Sequence, residues 1–307
     1  MVFDQNESEN KFVYQKNGVS VSVKREDLLH PYISGNKFRK LKYNILEAKK
    51  QHKKQLLTFG GAFSNHISAT AYAGKLFGFK TIGVIRGGEL AKDIQNTLYT
   101  NPTLRFANQN GMAFKFISRS DYRKKTDVTF LHNLQAEFGD FYLVPEGGTN
   151  ALAIKGCEEI IGEKEKEFDY IAVASGTGGT ISGIINASFK NQLVLGFPAL
   201  KGNFLDDDIQ KYIHKKNYKW INDFHFGGFA KINDELVRFI NEFHQKYKIP
   251  LDPIYTAKMF YGIENMIEND YFKKGSRILA IHTGGLQGIK AMNTRLKAKN
   301  KVQLLSN

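Results

Sequence analysis

Apolar runs alternate with amphipathic segments along most of the chain. Continuous runs predict β-strands, and segments whose apolar residues recur about every 3.6 positions predict helices. The predicted strands are residues 55–59, 80–86, 113–118, 141–145, 170–174, 193–197 and 277–282, and the predicted helices are residues 64–77, 151–161, 179–189 and 286–297. Strands that are apolar throughout are typical of parallel sheets covered by helices on both faces. The pattern therefore predicts an α/β fold with parallel-rich sheets, and 307 residues allow two domains or one large one.

Glycines cluster where the predicted strands end, which is where parallel α/β folds bind ligands. The most glycine-rich of these turns precedes a predicted helix and consists of Ser175, Gly176, Thr177, Gly178, Gly179 and Thr180. Free amides and the helix dipole suit an anion there. The turn is neither a P-loop, because no lysine follows its last glycine, nor a dinucleotide fingerprint, because Ile181 replaces the third glycine. We predict a site for a single phosphate; a tight turn without a ligand is the alternative.

Two further segments indicate a reactive amine and a carboxylate site. Lys37 follows Gly35-Asn36 at the start of a helical segment, where the dipole favours a neutral amine that can bond covalently to a carbonyl cofactor. Ser64 is a predicted N-cap that leaves the amides of Asn65 and His66 for a carboxylate. An ordinary surface lysine and a capped helix without a ligand are the alternatives. Together with the phosphate turn, these features fit pyridoxal 5′-phosphate (PLP) and an amino acid.

Composition narrows the remaining functions. The net charge of +14, from 44 basic and 30 acidic residues, favours anionic partners, but the basic residues are spread along predicted helices. We therefore expect no nucleic-acid partner. The single cysteine, Cys157, excludes a disulfide framework and is predicted to pack in the core, and the eight histidines show no metal spacing. With no signal-like segment and no apolar run of about 18 residues, we expect a cytoplasmic protein without a membrane partner.

Seven motifs, in order along the chain, resemble those of the 1-aminocyclopropane-1-carboxylate (ACC) deaminase and D-cysteine desulfhydrase family. They are residues 24–28, 35–41, 60–66, 145–150, 175–180, 252–256 and 282–285. Members of this family are PLP enzymes of fold type II, relatives of the tryptophan synthase β subunit. The resemblance implies two three-layer α/β domains, in which a smaller domain of residues 48–150 is inserted into a larger, PLP-binding domain of residues 1–47 and 151–307. It also implies a homodimer.

The same resemblance implies roles for individual residues. Lys37 would bind PLP covalently and act as the catalytic base, and the turn from Ser175 to Thr180 would bind the phosphate. Asn65 would contact the phenolic oxygen of the cofactor and the substrate, while Ser64 and His66 would line the substrate carboxylate site. Tyr255 would pack on the cofactor ring and face the substrate. The implied catalytic residues are thus Lys37, Ser64 and Tyr255.

Two positions suggest which reaction the protein catalyses. The resemblance implies that ACC deaminases of the family have glutamate and leucine at the positions of Thr256 and Thr283 in this chain. It also implies that both positions contact the cofactor. A hydroxyl makes the cofactor a milder electron sink than a carboxylate does, which favours β-elimination of D-cysteine to pyruvate, ammonia and sulfide. ACC deamination to 2-oxobutanoate and ammonia is the alternative, and a basic anion-binding protein without enzymatic activity is a remote one. Phe229 stands at an implied substrate-binding position where members usually carry tyrosine, which leaves the choice of amino acid open.

Overall fold

Two parallel-rich sheets and the helices beside them make up the structure. The computed structural model describes residues 3, 7–202 and 204–305. Its strands are β1 (Asn10–Lys16), β2 (Val19–Lys24), β3 (Gln55–Gly61), β4 (Lys80–Arg86), β5 (Met112–Ile117), β6 (Tyr142–Val144), β7 (Tyr170–Ser175), β8 (Leu193–Pro198), β9 (Tyr218–Trp220) and β10 (Arg277–Ile281). Its helices are α1 (Asn36–Lys50), α2 (Asn65–Phe77), α3 (Ile94–Thr100), α4 (Pro102–Gln109), α5 (Arg119–Tyr122), α6 (Val128–Phe138), α7 (Ala151–Glu158), α8 (Gly179–Ala187), α9 (Phe204–Gln210), α10 (Asp234–Tyr247), α11 (Thr256–Glu268) and α12 (Gly288–Lys297).

The larger compact unit contains the described residues up to Arg39 and those from Ile154 onward. Its sheet has the order β1-β2-β10-β7-β8-β9, and only the β1–β2 pair is antiparallel among the described pairings. Both faces of the central strands are buried, because β7 and β10 consist almost entirely of apolar residues. One core cluster includes apolar residues of α10 and α11, and the other includes residues of α8 together with Cys157, which packs in the core as predicted.

The smaller compact unit contains residues 40–153 and is inserted between the two parts of the larger one in sequence. Its sheet has the order β5-β4-β3-β6, and its described strand pairs are all parallel. Separate apolar clusters cover the sheet: one includes Leu57, Val84 and Leu134, and the other Ile67 and Leu104. The predicted α/β fold with parallel-rich sheets is confirmed.

All the predicted strands are present, but the continuous-run criterion missed β1, β2 and β9. In β2, buried valines alternate with half-buried serines, so the strand has no continuous apolar run. In the part of the chain that the structure describes, no helix is long and apolar enough to cross a bilayer. The same residues include no group of three or more histidine, cysteine or acidic side chains arranged to hold a metal ion.

Candidate functional site

The start of α1 is anchored by a buried ion pair with the segment that precedes it. Four successive charged residues, 24–27, are buried, and each is paired. Arg39 on α1 donates to both carboxylate oxygens of Glu26 at 2.8 Å. The other pairs are Lys24 with Glu165 at 2.7 Å and Arg25 with Asp27 at 2.7 Å. Because Arg39 lies two residues beyond Lys37, its pair with Glu26 holds the first turn of α1, which carries that lysine.

A short hydrogen-bonded line joins Lys37 to the glycine-rich turn. The Lys37 Nζ donates to Asn36 Oδ1 at 3.0 Å, and Asn36 Nδ2 donates to Thr180 Oγ1 at 2.8 Å. Thr180 lies in the first turn of α8, directly after the glycines. Two predicted site residues that are far apart in sequence therefore meet in the larger unit through Asn36, a residue to which the sequence assigned no role of its own.

The turn after β10 lies directly against the start of α1. The amide of Asn36 donates to the carbonyl oxygen of Thr283 at 3.2 Å. Gly35 has a φ of +59°, and a Cβ at this position would lie 2.0 Å from that carbonyl oxygen, so only glycine allows the approach. Beneath the turn, His282 Nε2 donates to the Pro250 carbonyl at 2.7 Å, and Nδ1 accepts from the Gly284 amide at 3.2 Å. The structure thus brings Thr283 beside the Lys37 segment.

The chemistry of the glycine-rich turn fits a phosphate. The N-cap of α8, Gly178, has a left-handed conformation and no side chain with which to cap the helix. The first amides of a helix lack intrahelical acceptors, so an uncapped N-terminus suits an anion. Ser175 Oγ is buried and has no hydrogen-bond partner among the described residues. A phosphate oxygen beside the turn would satisfy that hydroxyl as well as the amides.

Tyr255 lies at the same turn. A Cβ on Gly176 would be 3.0 Å from Tyr255 Cε1, so the ring packs over this glycine. Asp252 fixes the start of α11, since its carboxylate accepts from the amides of Ile254 and Tyr255 at 2.9 Å. It also accepts from the amide and the hydroxyl of Thr256 at 2.8 and 2.7 Å. The Thr256 hydroxyl therefore uses its one hydrogen in the bond to Asp252. Toward any other group it can act only as a hydrogen-bond acceptor.

Phe229 is 47% exposed and meets Tyr255 edge to face, with ring centroids 6.1 Å apart. The backbone before it contacts Lys258, a buried lysine on α11 that the sequence analysis did not single out. Burial lowers the pKa of Lys258 to about 8, although the negative charge of Asp252 acts to raise it. A lone lysine among the apolar residues Ala257, Met259 and Phe260 was the available sequence signal.

The smaller unit holds the predicted carboxylate site at the start of α2. Ser64 is the N-cap residue, but its side chain accepts no capping hydrogen bond within the described chain. The His66 ring is 1% exposed, and its Nε2 lies 2.7 Å from Thr58 Oγ1. Because Thr58 donates its one proton to the Val144 carbonyl at 2.8 Å, His66 Nε2 is the donor in this contact. Asn65 begins the helix, and the roles of these residues toward a ligand stay predictions.

Comparison with known proteins places these features in a family. The pyridoxal-phosphate dependent enzyme family matches residues 9–197. The mitochondrial bifunctional D-cysteine desulfhydrase/ACC deaminase of Arabidopsis thaliana is 30% identical, over 89% of this chain and 74% of that protein. The D-cysteine desulfhydrase of Klebsiella pneumoniae is 25% identical, over 91% of this chain and 90% of that protein. The crystal structure of an ACC deaminase homologue superimposes with a TM-score of 0.80 at 26% identity, covering 95% of this chain and 93% of the other.

Proposed function

The chain belongs to the ACC deaminase and D-cysteine desulfhydrase family of PLP-dependent enzymes, and we propose that it eliminates sulfide from D-cysteine. In this reaction the C–S bond breaks, and water replaces the amino nitrogen. One D-cysteine and one water give pyruvate, ammonia and hydrogen sulfide, so atoms balance.

The observation that carries the proposal is the line from Lys37 through Asn36 to Thr180. It sets an amine beside a turn with the chemistry of a phosphate site, which is the pairing that PLP requires. We assign the phosphate to the backbone of Gly176 to Gly179 with the hydroxyls of Ser175 and Thr180. Lys37 would hold the aldehyde end, and Tyr255 would pack on the ring. Thr256 and Thr283 would contact the cofactor from the segments that flank it.

Bound PLP supplies an electron sink for the substrate's Cα electrons. Lys37 then has the proton-transfer role: its Nζ takes the Cα proton of the amino acid, and Asn36 Oδ1 orients that Nζ before the transfer. We assign the substrate carboxylate to the first amides of α2 and the Ser64 hydroxyl, because the Ser64 side chain makes no capping hydrogen bond within the described chain.

The choice of D-cysteine over ACC rests on Thr256 and Thr283. Sulfide is a good leaving group, whereas opening an unactivated cyclopropane demands a stronger sink. A carboxylate at position 256 would strengthen that sink by holding a proton on the cofactor ring through a charge-assisted hydrogen bond. The hydroxyl of Thr256 is already committed as a donor to Asp252 and supplies no such charge of its own. ACC deamination is the second candidate, because the Arabidopsis relative combines both activities in its name.

We also propose a cytoplasmic location and, as the resemblance implies, a homodimer whose larger unit binds the cofactor. Light scattering of the purified holoenzyme measures the oligomeric state directly.

The deciding experiment measures two products from the same purified holoenzyme. We expect sulfide release from D-cysteine to be much faster than formation of 2-oxobutanoate from ACC, and a PLP absorbance band before substrate is added. Thr256→Glu with Thr283→Leu should shift the ratio toward ACC, whereas the control Thr256→Ser, which keeps the hydroxyl, should not. A wild type that prefers ACC would select the second candidate. Protein without the absorbance band would indicate an anion-binding protein instead.

A further inference from the structure

The segment that carries Phe229 has an unusual backbone. Phe226, Gly227, Gly228 and Ala230 all have positive φ angles, of 54°, 86°, 114° and 54°. Residues other than glycine rarely adopt this conformation. Such conformations persist only where surrounding contacts over-determine them, and they are common at functional sites. Contacts on residues 225–230, called the Phe229 loop below, must therefore hold it in place.

The side chain of Lys258 supplies the central contact. Its Nζ donates to the carbonyls of His225 and Gly228, both at 2.8 Å. The same carbonyls accept from backbone amides of the loop and of the residue that follows it, Gly228 N at 3.0 Å and Lys231 N at 3.2 Å. The ammonium thus binds the loop at two carbonyls, and each of these carbonyls also accepts a hydrogen bond of a backbone turn.

Lys258 is committed to this contact. It is 2% exposed and sits on the buried side of α11. A buried ammonium is costly unless its donors are satisfied, and the loop carbonyls provide two acceptors. Since hydrogen bonds to a charged group are among the stronger ones, removing the ammonium should cost the loop more than removing a neutral donor.

Aromatic packing continues the attachment of the loop to α11. Phe224, just before the loop, packs on Gly262, where a Cβ would lie 2.7 Å from Phe224 Cδ2. The Phe226 ring meets the Tyr261 ring edge to face at 5.0 Å. The loop therefore rests on the same helix whose N-cap is Tyr255 and whose first residue is Thr256, and it presents Phe229 to Tyr255.

We infer that Lys258 is a positioning residue, which holds the Phe229 loop on α11 and so sets the Phe229–Tyr255 pair that selects the amino acid. Its effect on the loop stands on the contacts above, and its effect on substrate choice rests on the proposed function. Lys258 itself touches neither substrate nor cofactor in this assignment.

Hydrogen exchange of the purified protein tests the loop without any substrate. In Lys258→Met, the amides of Gly228 and Lys231 should exchange at least tenfold faster than in the wild type, a change that corresponds to about 1.4 kcal/mol. The matched control is Lys40→Met in the smaller unit. Lys40 is also buried, and its Nζ donates to the Gly147 carbonyl and Thr149 Oγ1, both at 3.1 Å. This control should speed exchange near residues 147–149 and leave residues 227–231 unchanged.

Steady-state kinetics then tests the consequence for substrate. We expect Lys258→Met to retain the PLP absorbance band and to raise KM for D-cysteine at least tenfold with a smaller change in kcat. Lys258→Arg, which keeps a cation, should recover part of the loss in both measurements. Should Lys258→Met fail to fold, Lys258→Arg alone must show faster exchange confined to the loop.

Unchanged loop exchange in a folded Lys258 variant would overturn the inference, whatever the activity. Faster loop exchange with unchanged KM would also overturn it, because Lys258 would then be structural only. A wild type inactive on D-cysteine and ACC would refute the proposed function instead, and the exchange result would still decide whether Lys258 holds the loop.

Discussion

Replacing Glu26 by glutamine tests the buried ion pair that holds the start of α1. The Glu26 and Arg39 side chains are 0% and 1% exposed, and two hydrogen bonds of 2.8 Å join them. Burial disfavours the guanidinium charge, but the hydrogen bonds and the charge of Glu26 raise the pKa of Arg39 above its usual value. Glutamine keeps the shape of the side chain and removes its charge, so Arg39 would remain a buried cation.

The expected loss of stability follows from what Arg39 retains. Among the described residues it keeps a carboxylate partner in Glu159, 3.6 Å from Nη1 and 25% exposed. Breaking a buried pair by removing one partner costs about 3–5 kcal/mol, and the contact with Glu159 places Glu26→Gln near the lower end, at about 3 kcal/mol. The free energy of unfolding of native proteins is about 5–15 kcal/mol, so the loss would be a large fraction of the total stability.

Urea unfolding followed by tryptophan fluorescence measures this loss, because Trp220, the only tryptophan of the chain, lies in the larger unit. The matched control is Glu7→Gln, since Glu7 pairs with Lys164 at 2.6 Å but both side chains are more than 70% exposed, at 81% and 72%. Exposed pairs contribute little, and we expect this control to unfold like the wild type. Equal unfolding midpoints for Glu26→Gln and Glu7→Gln would refute the reasoning.

Three further changes test the site. Lys37→Ala should keep the fold and lose covalent PLP and turnover; labelling of a different lysine by borohydride reduction of the holoenzyme would contradict this. Gly178→Val should weaken PLP binding, measured by cofactor titration, because φ is +75° and a Cβ would lie 2.6 Å from Ile209 Cγ2. Its control is Gly78→Val, where φ is +79° with nothing within 4 Å of a Cβ, and unchanged affinity in Gly178→Val would contradict the assignment. Finally, Lys258 has a pKa of about 8 in the folded protein, below its usual value of about 10.4. Between these values the unfolded chain binds more protons, so wild-type stability should rise with pH relative to Lys258→Met. Parallel stability curves from pH about 7.5 to 10 would contradict it.

The sequence by itself determined the fold class and the family. A continuous apolar run such as the one in β7 can be recognised from neighbouring residues alone, because a strand buried on both faces needs apolar residues at every position. The glycine-rich turn and Lys37 were also visible locally, since a turn conformation and a helix start depend on neighbouring residues. These local features, read in order, were sufficient for the resemblance that the comparisons confirmed.

Only the tertiary structure decided which polar groups are paired. Nothing local indicates that Asn36 bridges Lys37 to Thr180 or that Lys258 closes the Phe229 loop. The partners of Lys258 precede it by 33 and 30 residues, and Asn36 precedes Thr180 by 144. A buried polar group must find its partner wherever packing places one, so its role is set by the assembled fold and not by the residues beside it in sequence.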